Sequence, residues 1–243
     1  MRLFGRSLII FCAVLASAGA MVANAFDREL PVVAHYSSEY ARVAFVLDLS
    51  GEAPKLKFDG HEEILVLHWA QVGGGDRFLK RDDEMVVLRI SGLGGVTLFT
   101  SEIPGGTPVG PDRRTAYPLV QAIPAIGAVQ AVAGSIMSVV RAETGQEIVF
   151  ESNWDQAARD PAVRVLLYDS IRNTGSALIN WIRLGPGRRA AGRSLRRTRF
   201  MLSSGPGAYR QGDVFIVTFG TGQGIRGRPS SYVIFRQLAQ FGR

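Results

Sequence analysis

Cysteine is nearly absent from this 243-residue sequence, and the single one, Cys12, lies in the apolar stretch near the N-terminus. Residues 1–25 have the features of a secretory signal peptide: two basic residues, an apolar run and the small-x-small sequence Ala23-Asn24-Ala25. Phe11 occupies the position where a lipoprotein signal needs a small residue. Cleavage after Ala25 leaves a chain without thiols. This excludes a cysteine nucleophile, a thiolate metal site and thioether haem attachment.

The signal peptide predicts export, so we expect a periplasmic or extracellular protein. Histidine is also scarce, with only His35, His61 and His68. The segment around His61 and His68 has a strand pattern, which puts these two on opposite faces, so we predict surface or edge histidines and no metal site. The sequence contains no nucleophile elbow, no Ser-x-x-Lys and no phosphate-binding glycine loop followed by lysine. We predict no cofactor, and a non-enzymatic protein is favoured over an enzyme.

Acidic residues are scarce in the last third of the chain. Residues 26–182 contain 20 Asp and Glu against 14 Lys and Arg, whereas residues 183–243 contain 12 Arg and the single acid Asp213. Two interpretations follow: the basic part neutralises the acidic part within one fold, or it directs a positive face at an external polyanion.

From Pro31 to Thr100 the apolar residues alternate with polar ones between turns, which predicts an antiparallel β-meander of about five or six strands. The meander and its leading segment form a predicted N-terminal unit, residues 26–104. Ile103–Pro111 is rich in proline and glycine and predicts a loop. Residues 111–243 are the second predicted unit, which we expect to share one core with the meander.

Two helices are predicted in the second unit. Asp160 as N-cap, Pro161 in the first turn and Gly185-Pro186 as the stop define an amphipathic helix from Asp160 to Leu184. Residues 117–140 carry no charge, but prolines, glutamines and many small residues argue against a transmembrane span. We predict instead a buried helix, Ala125–Arg141, whose small residues allow close packing against the long helix.

The remaining elements are a short strand within Gln146–Glu151, a short basic helix at Arg188–Arg197, and three strands at Arg199–Leu202, Asp213–Phe219 and Tyr232–Phe235. The order of strands, helices and strands predicts an α+β fold: an antiparallel β-meander, two central helices, then C-terminal antiparallel strands.

The strongest functional signal is the arginine segment, residues 183–199, which contains no acid. Guanidinium groups bind phosphate and carboxylate in bidentate fashion. The predicted partner is an anionic lipid headgroup, a cell-wall polymer or an acidic protein, because export argues against nucleic acid. The predicted anion-binding residues are Arg183, Arg188, Arg189, Arg193, Arg196, Arg197 and Arg199.

Two other functions stay open at this level. One is a carrier of an apolar or lipid ligand between the sheet and the Ala125–Arg141 helix. The other is a glycan hydrolase that uses two carboxylates of the meander, since such a pair needs neither cysteine nor histidine. The acids at turns and strand ends also fit ordinary turn chemistry, and with Gly73–Gly75 they match no calcium-loop motif. These acids are Asp48, Asp59, Asp76, Asp82, Asp83 and Glu84.

Overall fold

The computed structural model describes residues 30–71, 75–185 and 193–242. The predicted signal peptide, residues 73 and 74 of the glycine loop, and Arg188 and Arg189 of the arginine segment lie outside these ranges. The α+β prediction is confirmed: a large antiparallel sheet comes first, helices follow, and the chain forms a second sheet near its C-terminus.

The first sheet contains nine strands: β1 Val33–Ser37, β2 Ala44–Asp48, β3 Lys55–Phe58, β4 Leu65–Val66, β5 His68–Gln71, β6 Arg77–Lys80, β7 Val86–Ile90, β8 Val96–Leu98 and β9 Thr107–Pro111. Their order in the sheet is β4-β3-β2-β1-β9-β8-β7-β6-β5, and all the pairs are antiparallel. The end strands of this order, β4 and β5, are separated in sequence by Leu67 alone, so the sheet curls nearly closed.

The predicted loop at Ile103–Pro111 is wrong in its second half, because Thr107–Pro111 forms β9. This strand pairs with β8 on one side and β1 on the other, and so joins the two halves of the meander. Prolines are rare in central strands because they donate no backbone hydrogen bond. Because of Pro108 and Pro111, the sequence predicted a loop where the structure has a central strand.

The interior of the first sheet is packed with alternating apolar side chains. Tyr36 and Phe45 face each other across β1 and β2 with their rings stacked at 5.5 Å, and Phe45 meets Phe58 edge-on at 5.9 Å. A second apolar cluster lies between the helices and the C-terminal sheet, with Trp181 fully buried in it.

A linker, residues 112–125, connects the first sheet to the helices. The buried carboxylate of Asp48 anchors this linker to the first sheet. The carboxylate of Asp48 accepts from the backbone N–H of Leu119 at 2.8 Å and from Nζ of Lys55 at 2.9 Å. Lys55 also donates to the carbonyl of Leu119 at 2.8 Å. Burial disfavours ionisation of Asp48, but the hydrogen bonds from Ser50, Lys55 and Leu119 prevail and lower its pKa to about 2.

The long helix is confirmed almost to the residue. It spans Pro161–Arg183, and the Asp160 side chain accepts from the amides of Ala162 and Val163, as its capping role requires. In chain order the helices are α1 Ile126–Thr144, α2 Trp154–Arg159, α3 Pro161–Arg183 and α4 Ser231–Leu238, with 3₁₀ turns at Thr221–Gly227 and Ala239–Gly242.

The predicted small-residue helix exists as α1, but it is not buried all round. Val129, Ala133, Val140 and Thr144 form its buried side, while Gly127, Ala128 and Ala131 are exposed. Close packing against α3 comes from a glycine of the other helix, Gly175, which faces Ile136. Among the described residues no helix is both long and apolar enough to cross a membrane.

The second sheet contains four strands: β10 Val149–Glu151, β11 Arg197–Leu202, β12 Gly207–Gln211 and β13 Val214–Phe219. Their order in the sheet is β10-β11-β13-β12. The β12–β13 pair is an antiparallel hairpin, whereas β11 lies parallel to both β10 and β13.

Two local predictions near this sheet are wrong. Tyr232–Phe235 is helical within α4, because Ser230 caps the helix at the amide of Val233 and because Ile234 and Leu238 bury one helical face. In the described part of the predicted basic helix, residues 193 and 194 form a turn and β11 begins at Arg197.

The start of α4 docks on the meander through carboxylates. Asp82 accepts from the amide and hydroxyl of Ser230, at 2.8 and 2.6 Å, and Glu63 accepts from the same groups of Ser231, at 2.9 and 2.5 Å. Burial raises the pKa of Glu63 above its usual value, although Ser231 and Arg228 oppose that rise.

Candidate anion-binding surface

The alternation of β11 decides where its arginines point. Thr198 and Phe200 are buried toward the helices, and so Arg197 and Arg199 lie on the other face of the second sheet. Phe215 and Val217 of β13 belong to the apolar cluster under the helices, whereas their neighbour Ile216 does not. The arginines therefore occupy the face that the helices leave uncovered.

Both β11 arginines pair with carboxylates of the same sheet. Arg199 Nε lies 2.8 Å from Glu151 Oε2, and Arg197 Nη2 lies 3.2 Å from Asp213 Oδ2. Glu151 Oε1 is also 3.9 Å from Arg197 Nη1. The hydrogen bond from Arg197 lowers the pKa of Asp213, and Arg210 contributes to the lowering. All four side chains of these pairs are at least 32% exposed, so water and salt screen these ion pairs.

A second group of arginines lies at the C-terminal end of α1. Arg183 Nη2 is 2.8 Å from Glu143 Oε1, and Arg193 Nε donates to the backbone carbonyl of Thr144 at 3.2 Å. Helix C-termini carry partial negative charge and free carbonyls, which favour cations there. Arg141, in the last turn of α1, is exposed beside them.

Arg196 completes the predicted set within the described ranges. Its side chain is exposed, and its backbone carbonyl accepts from Val149 at 3.0 Å, which fixes its position beside β10. Arg188 and Arg189 are outside the described residues. The structure thus brings Arg197 and Arg199 together on one face of the second sheet, places Arg196 directly before β11, and brings Arg183 and Arg193 together at the end of α1.

Apolar side chains share the uncovered face with the arginines. The strand register aligns Glu151, Arg199, Ile216 and Tyr209 in one row across the sheet. Tyr209 is 46% exposed, and Met201 and Val149 are exposed to a similar degree on the same face. Ile216, in the middle of the row, is 2% exposed, so the arginines and the half-exposed Tyr209, Met201 and Val149 surround a buried centre of this face.

Three arginines further along the chain bond to other parts of the fold: Arg226 and Arg236 to the meander, and Arg228 to both α3 and the meander. Arg228 is buried, with Nε 3.0 Å from Asp169 Oδ2 and Nη2 donating to the carbonyl of Ile64 at 2.6 Å. Arg226 lies 3.6 Å from Glu52, and Arg236 donates to the carbonyl of Asp83. Internal neutralisation thus applies to Arg226 and Arg228, whereas Arg236 bonds a neutral carbonyl. The described pairs of the arginine segment, with Glu143, Glu151 and Asp213, are internal as well.

One group of interacting polar side chains was not predicted from the sequence. His35, expected at a surface or edge, is buried on β1, with Nδ1 2.8 Å from Asp112 Oδ2 and Nε2 3.1 Å from Asp59 Oδ1. Arg114 bridges the same two carboxylates, at 3.2 Å from Asp112 and 2.8 Å from Asp59. The partners are 24 and 77 residues from His35 in sequence, so no local pattern could have found them.

The hydrogen bonds around Asp112 keep it ionised. Burial raises the pKa of this carboxyl, but hydrogen bonds from Arg114, His35 and Ser37 outweigh burial and bring the pKa to about 2. The arrangement pins the start of the linker at Asp112 and Arg114 to β1 and to the turn at Asp59.

The other acids singled out in the sequence are also engaged. Asp76 pairs with Arg89 at 2.6 Å and Asp83 with Arg81 at 2.9 Å, while Asp48 and Asp82 hold the linker and α4. His61 is exposed, and the partly exposed His68 lies 3.4 Å from Glu84. No group of three or more potential metal ligands occurs among the residues that the structure describes.

A family described as a domain of unknown function (DUF4908) matches residues 16–238 of the chain. No curated protein and no solved structure matches significantly.

Proposed function

The chain belongs to the DUF4908 family, whose function is unknown, and we propose that it is a non-enzymatic, exported protein of the cell envelope that binds an anionic surface. The observation that carries this proposal is the position of Arg197 and Arg199 on the uncovered face of the second sheet, with exposed Arg196 next to them. Arg183 and Arg193 extend the positive charge to the end of α1.

The ion pairs on this surface do not remove its capacity to bind anions. Five described arginines of the segment face three carboxylates, Glu143, Glu151 and Asp213, so positive charge is in excess. Exposed pairs of this kind contribute about 0 to 1 kcal/mol each, and a phosphate group that offers a bidentate contact can displace a carboxylate at little cost.

The apolar groups on the same face favour a lipid headgroup region over a freely soluble polyanion. Tyrosine suits the boundary between headgroups and acyl chains, because its ring is apolar and its hydroxyl is polar. Tyr209, Met201 and Val149 would contact that boundary while the arginines contact phosphate. An anionic bilayer surface is therefore the partner we propose, and a wall polymer or an acidic protein is the alternative that the test distinguishes.

The test is cosedimentation of the mature protein, residues 26–243, with vesicles of phosphatidylglycerol and phosphatidylcholine. A variant with Arg193, Arg196, Arg197 and Arg199 replaced by Gln should bind about 100-fold or more weakly, since each basic residue near an anionic surface contributes about 1 kcal/mol. Binding of the wild-type protein should fall steeply between low and physiological salt concentrations.

A matched control removes the same charge elsewhere. Arg77, Arg89, Arg113 and Arg159 are outside the arginine segment, and their replacement by Gln lowers the net charge equally. The control should retain most of the affinity for vesicles. Equal losses in the two variants would show that only net charge matters, and wild-type affinity of the test variant would refute the proposed surface. Binding to an anionic wall polymer but not to vesicles would refute the lipid assignment alone.

A further inference from the structure

A cleft of about 610 Å³ lies at one end of the first sheet and is independent of the arginine segment. Three connections form it: residues 38–44 between β1 and β2, residues 58–61 after β3, and residues 100–103 between β8 and β9. Tyr232 of α4 completes the wall, so both parts of the chain contribute. The end of a curled sheet is a common place for a small-molecule site, and this volume suits a ligand of a few linked rings.

Part of the cleft is fixed in place by hydrogen bonds. Asp59 is held by His35 Nε2 at 3.1 Å and by Arg114 Nη1 at 2.8 Å. The hydroxyl of Ser38 bonds that of Thr107 at 3.0 Å, and Thr100 Oγ1 accepts from the amide of Ile103 at 3.1 Å. A carboxylate has about four lone-pair sites, so Asp59 retains the capacity to accept from a ligand hydroxyl. Groups fixed beforehand bind with a smaller loss of entropy.

Another part of the cleft carries polar side chains that have no polar partner in the described part of the chain. Arg42, His61 and Glu102 line it and are exposed, and their side chains make no hydrogen bond or ion pair among the described residues. Arg42 offers up to five donors, Glu102 offers acceptors and His61 can do either. Arg42 and Glu102 carry charges of opposite sign, and Arg114 offsets part of the charge of the two carboxylates that it bridges, Asp59 and Asp112. The site therefore favours a ligand rich in both donors and acceptors but without a large net charge.

Two aromatic side chains, Phe58 and Tyr232, line the cleft. Phe58 is held edge-on by Phe45, at a centroid distance of 5.9 Å and an interplanar angle of 67°. The guanidinium of Arg81 lies 3.5 Å from the ring centroid of Tyr232 and fixes that ring. The negative face of an aromatic ring attracts weakly positive C–H groups. Pyranose rings present such C–H faces, together with hydroxyls at their edges.

From these features we infer that the cleft binds a neutral oligosaccharide of two or three sugar rings, with Phe58 and Tyr232 against ring faces and Arg42, Asp59, His61 and Glu102 bonded to hydroxyls. This site is separate from the proposed anion-binding surface. Either assignment can fail without the other, because they use different residues and different ligands.

The three histidines of the chain provide a direct readout of this site. His61 lies in the cleft, whereas His35 is buried behind it and His68 lies outside it. Full-length mature protein labelled at histidine would be titrated with maltotriose, cellotriose and triacetylchitotriose and followed by NMR of the ring C–H groups. We expect at least one trisaccharide to shift the His61 resonance in a saturable manner and to leave that of His68 unchanged.

Variants then separate the cleft from unspecific contact. Combined replacement of Arg42 by Ala and Glu102 by Gln should weaken binding by about tenfold or more, since each hydrogen bond lost to a ligand costs roughly 1 kcal/mol. Replacement of Arg77 by Ala, on the outside of the sheet, should have no effect on binding. Both substituted cleft residues are exposed, so the fold should be retained, and near-identical spectra outside the cleft would verify this.

Three results would overturn the inference. The first is no shift of His61 with any of the three trisaccharides up to about 10 mM, which corresponds to binding weaker than roughly 3 kcal/mol. The second is a shift that the double substitution does not weaken. The third is a shift of His61 only with a charged ligand, such as an acidic peptide or inorganic phosphate, because the cleft would then be an ion-binding site.

Discussion

Ile136 of α1 occupies the space in which a side chain at Gly175 of α3 would lie. A Cβ added to Gly175 would stand 2.5 Å from Cδ1 and 2.8 Å from Cγ1 of Ile136, far inside the usual contact distance for carbon atoms. The missing side chain therefore sets how closely the two helices approach. Gly175 is a packing position and not a flexible point in the helix.

Replacement of Gly175 by Ala should destabilise the protein by about 1 to 2 kcal/mol. The overpacking cost of about 1 to 3 kcal/mol competes with a helix-propensity gain of up to about 1 kcal/mol. Urea unfolding followed by circular dichroism measures the change. Gly134 of α1 is the matched control, because a Cβ there meets nothing within 4 Å, and its replacement by Ala should stabilise the protein by about 0.5 to 1 kcal/mol. Stabilisation by both substitutions would contradict the packing described.

Replacement of Asp48 by Asn should cost about 3 kcal/mol or more in the free energy of unfolding. The partly buried ammonium of Lys55 would lose its only carboxylate partner among the described residues, and Asp48 itself is fully buried, so breaking this pair is strongly destabilising. Asp76 is the comparison, since its pair with Arg89 is partly exposed and its replacement by Asn should cost less than about 1 kcal/mol. If urea unfolding showed that both substitutions lower the free energy of unfolding equally, Asp48 would not be buried as described.

The protein should lose stability as the pH falls from about 4 to about 2. Asp48 and Asp112 both have a pKa of about 2 in the fold, below their ordinary value of 3.8. Their ionised forms stabilise the fold above pH 3.8, by about 2 kcal/mol for the buried Asp48 and by less for the more exposed Asp112, and both contributions disappear as the pH falls through the folded pKa. Glu63 acts in the opposite direction, because its raised pKa means that its protonation favours the fold as the pH falls.

Urea unfolding at several pH values between 5 and 2 tests this dependence. In the variant with Asp48 replaced by Asn, the loss between pH 4 and 2 should be smaller by roughly the contribution of one carboxyl group, about 2 kcal/mol. An unchanged pH dependence in that variant would mean that another group controls the acid transition.

Replacement of Arg228 by Met should lower the free energy of unfolding by about 3 to 5 kcal/mol, because Asp169 of α3 and the carbonyl of Ile64 in the meander would lose a buried cation. Arg226, two residues earlier, is half exposed and lies 3.6 Å from Glu52, so the same replacement there should cost less than about 1 kcal/mol. Urea unfolding and limited proteolysis would measure both variants. A cost at Arg226 equal to that at Arg228 would contradict this assignment.

Local features of the sequence predicted an element correctly where several of them agreed. For α3, the cap Asp160, Pro161 in the first turn and the apolar periodicity all defined one helix, and its bounds are confirmed to within a residue or two. The strand predicted at Tyr232–Phe235 failed because four apolar residues in succession fit either structure, and the deciding contacts, Asp82 and Glu63 on the first residues of the helix, come from about 150 residues away. The strand β9 was missed because its prolines are typical of a loop.

The amino-acid sequence by itself determined the α+β class, the long helix and the uneven distribution of charge, because these depend on composition and on periodicities within a few turns of chain. The tertiary structure alone decided that Arg228 pairs with Asp169, that Arg199 pairs with Glu151, and that His35 lies between Asp59 and Asp112. An ion pair depends on distances of a few ångströms between side chains far apart in sequence. Those distances exist only once the two sheets and their helices have packed.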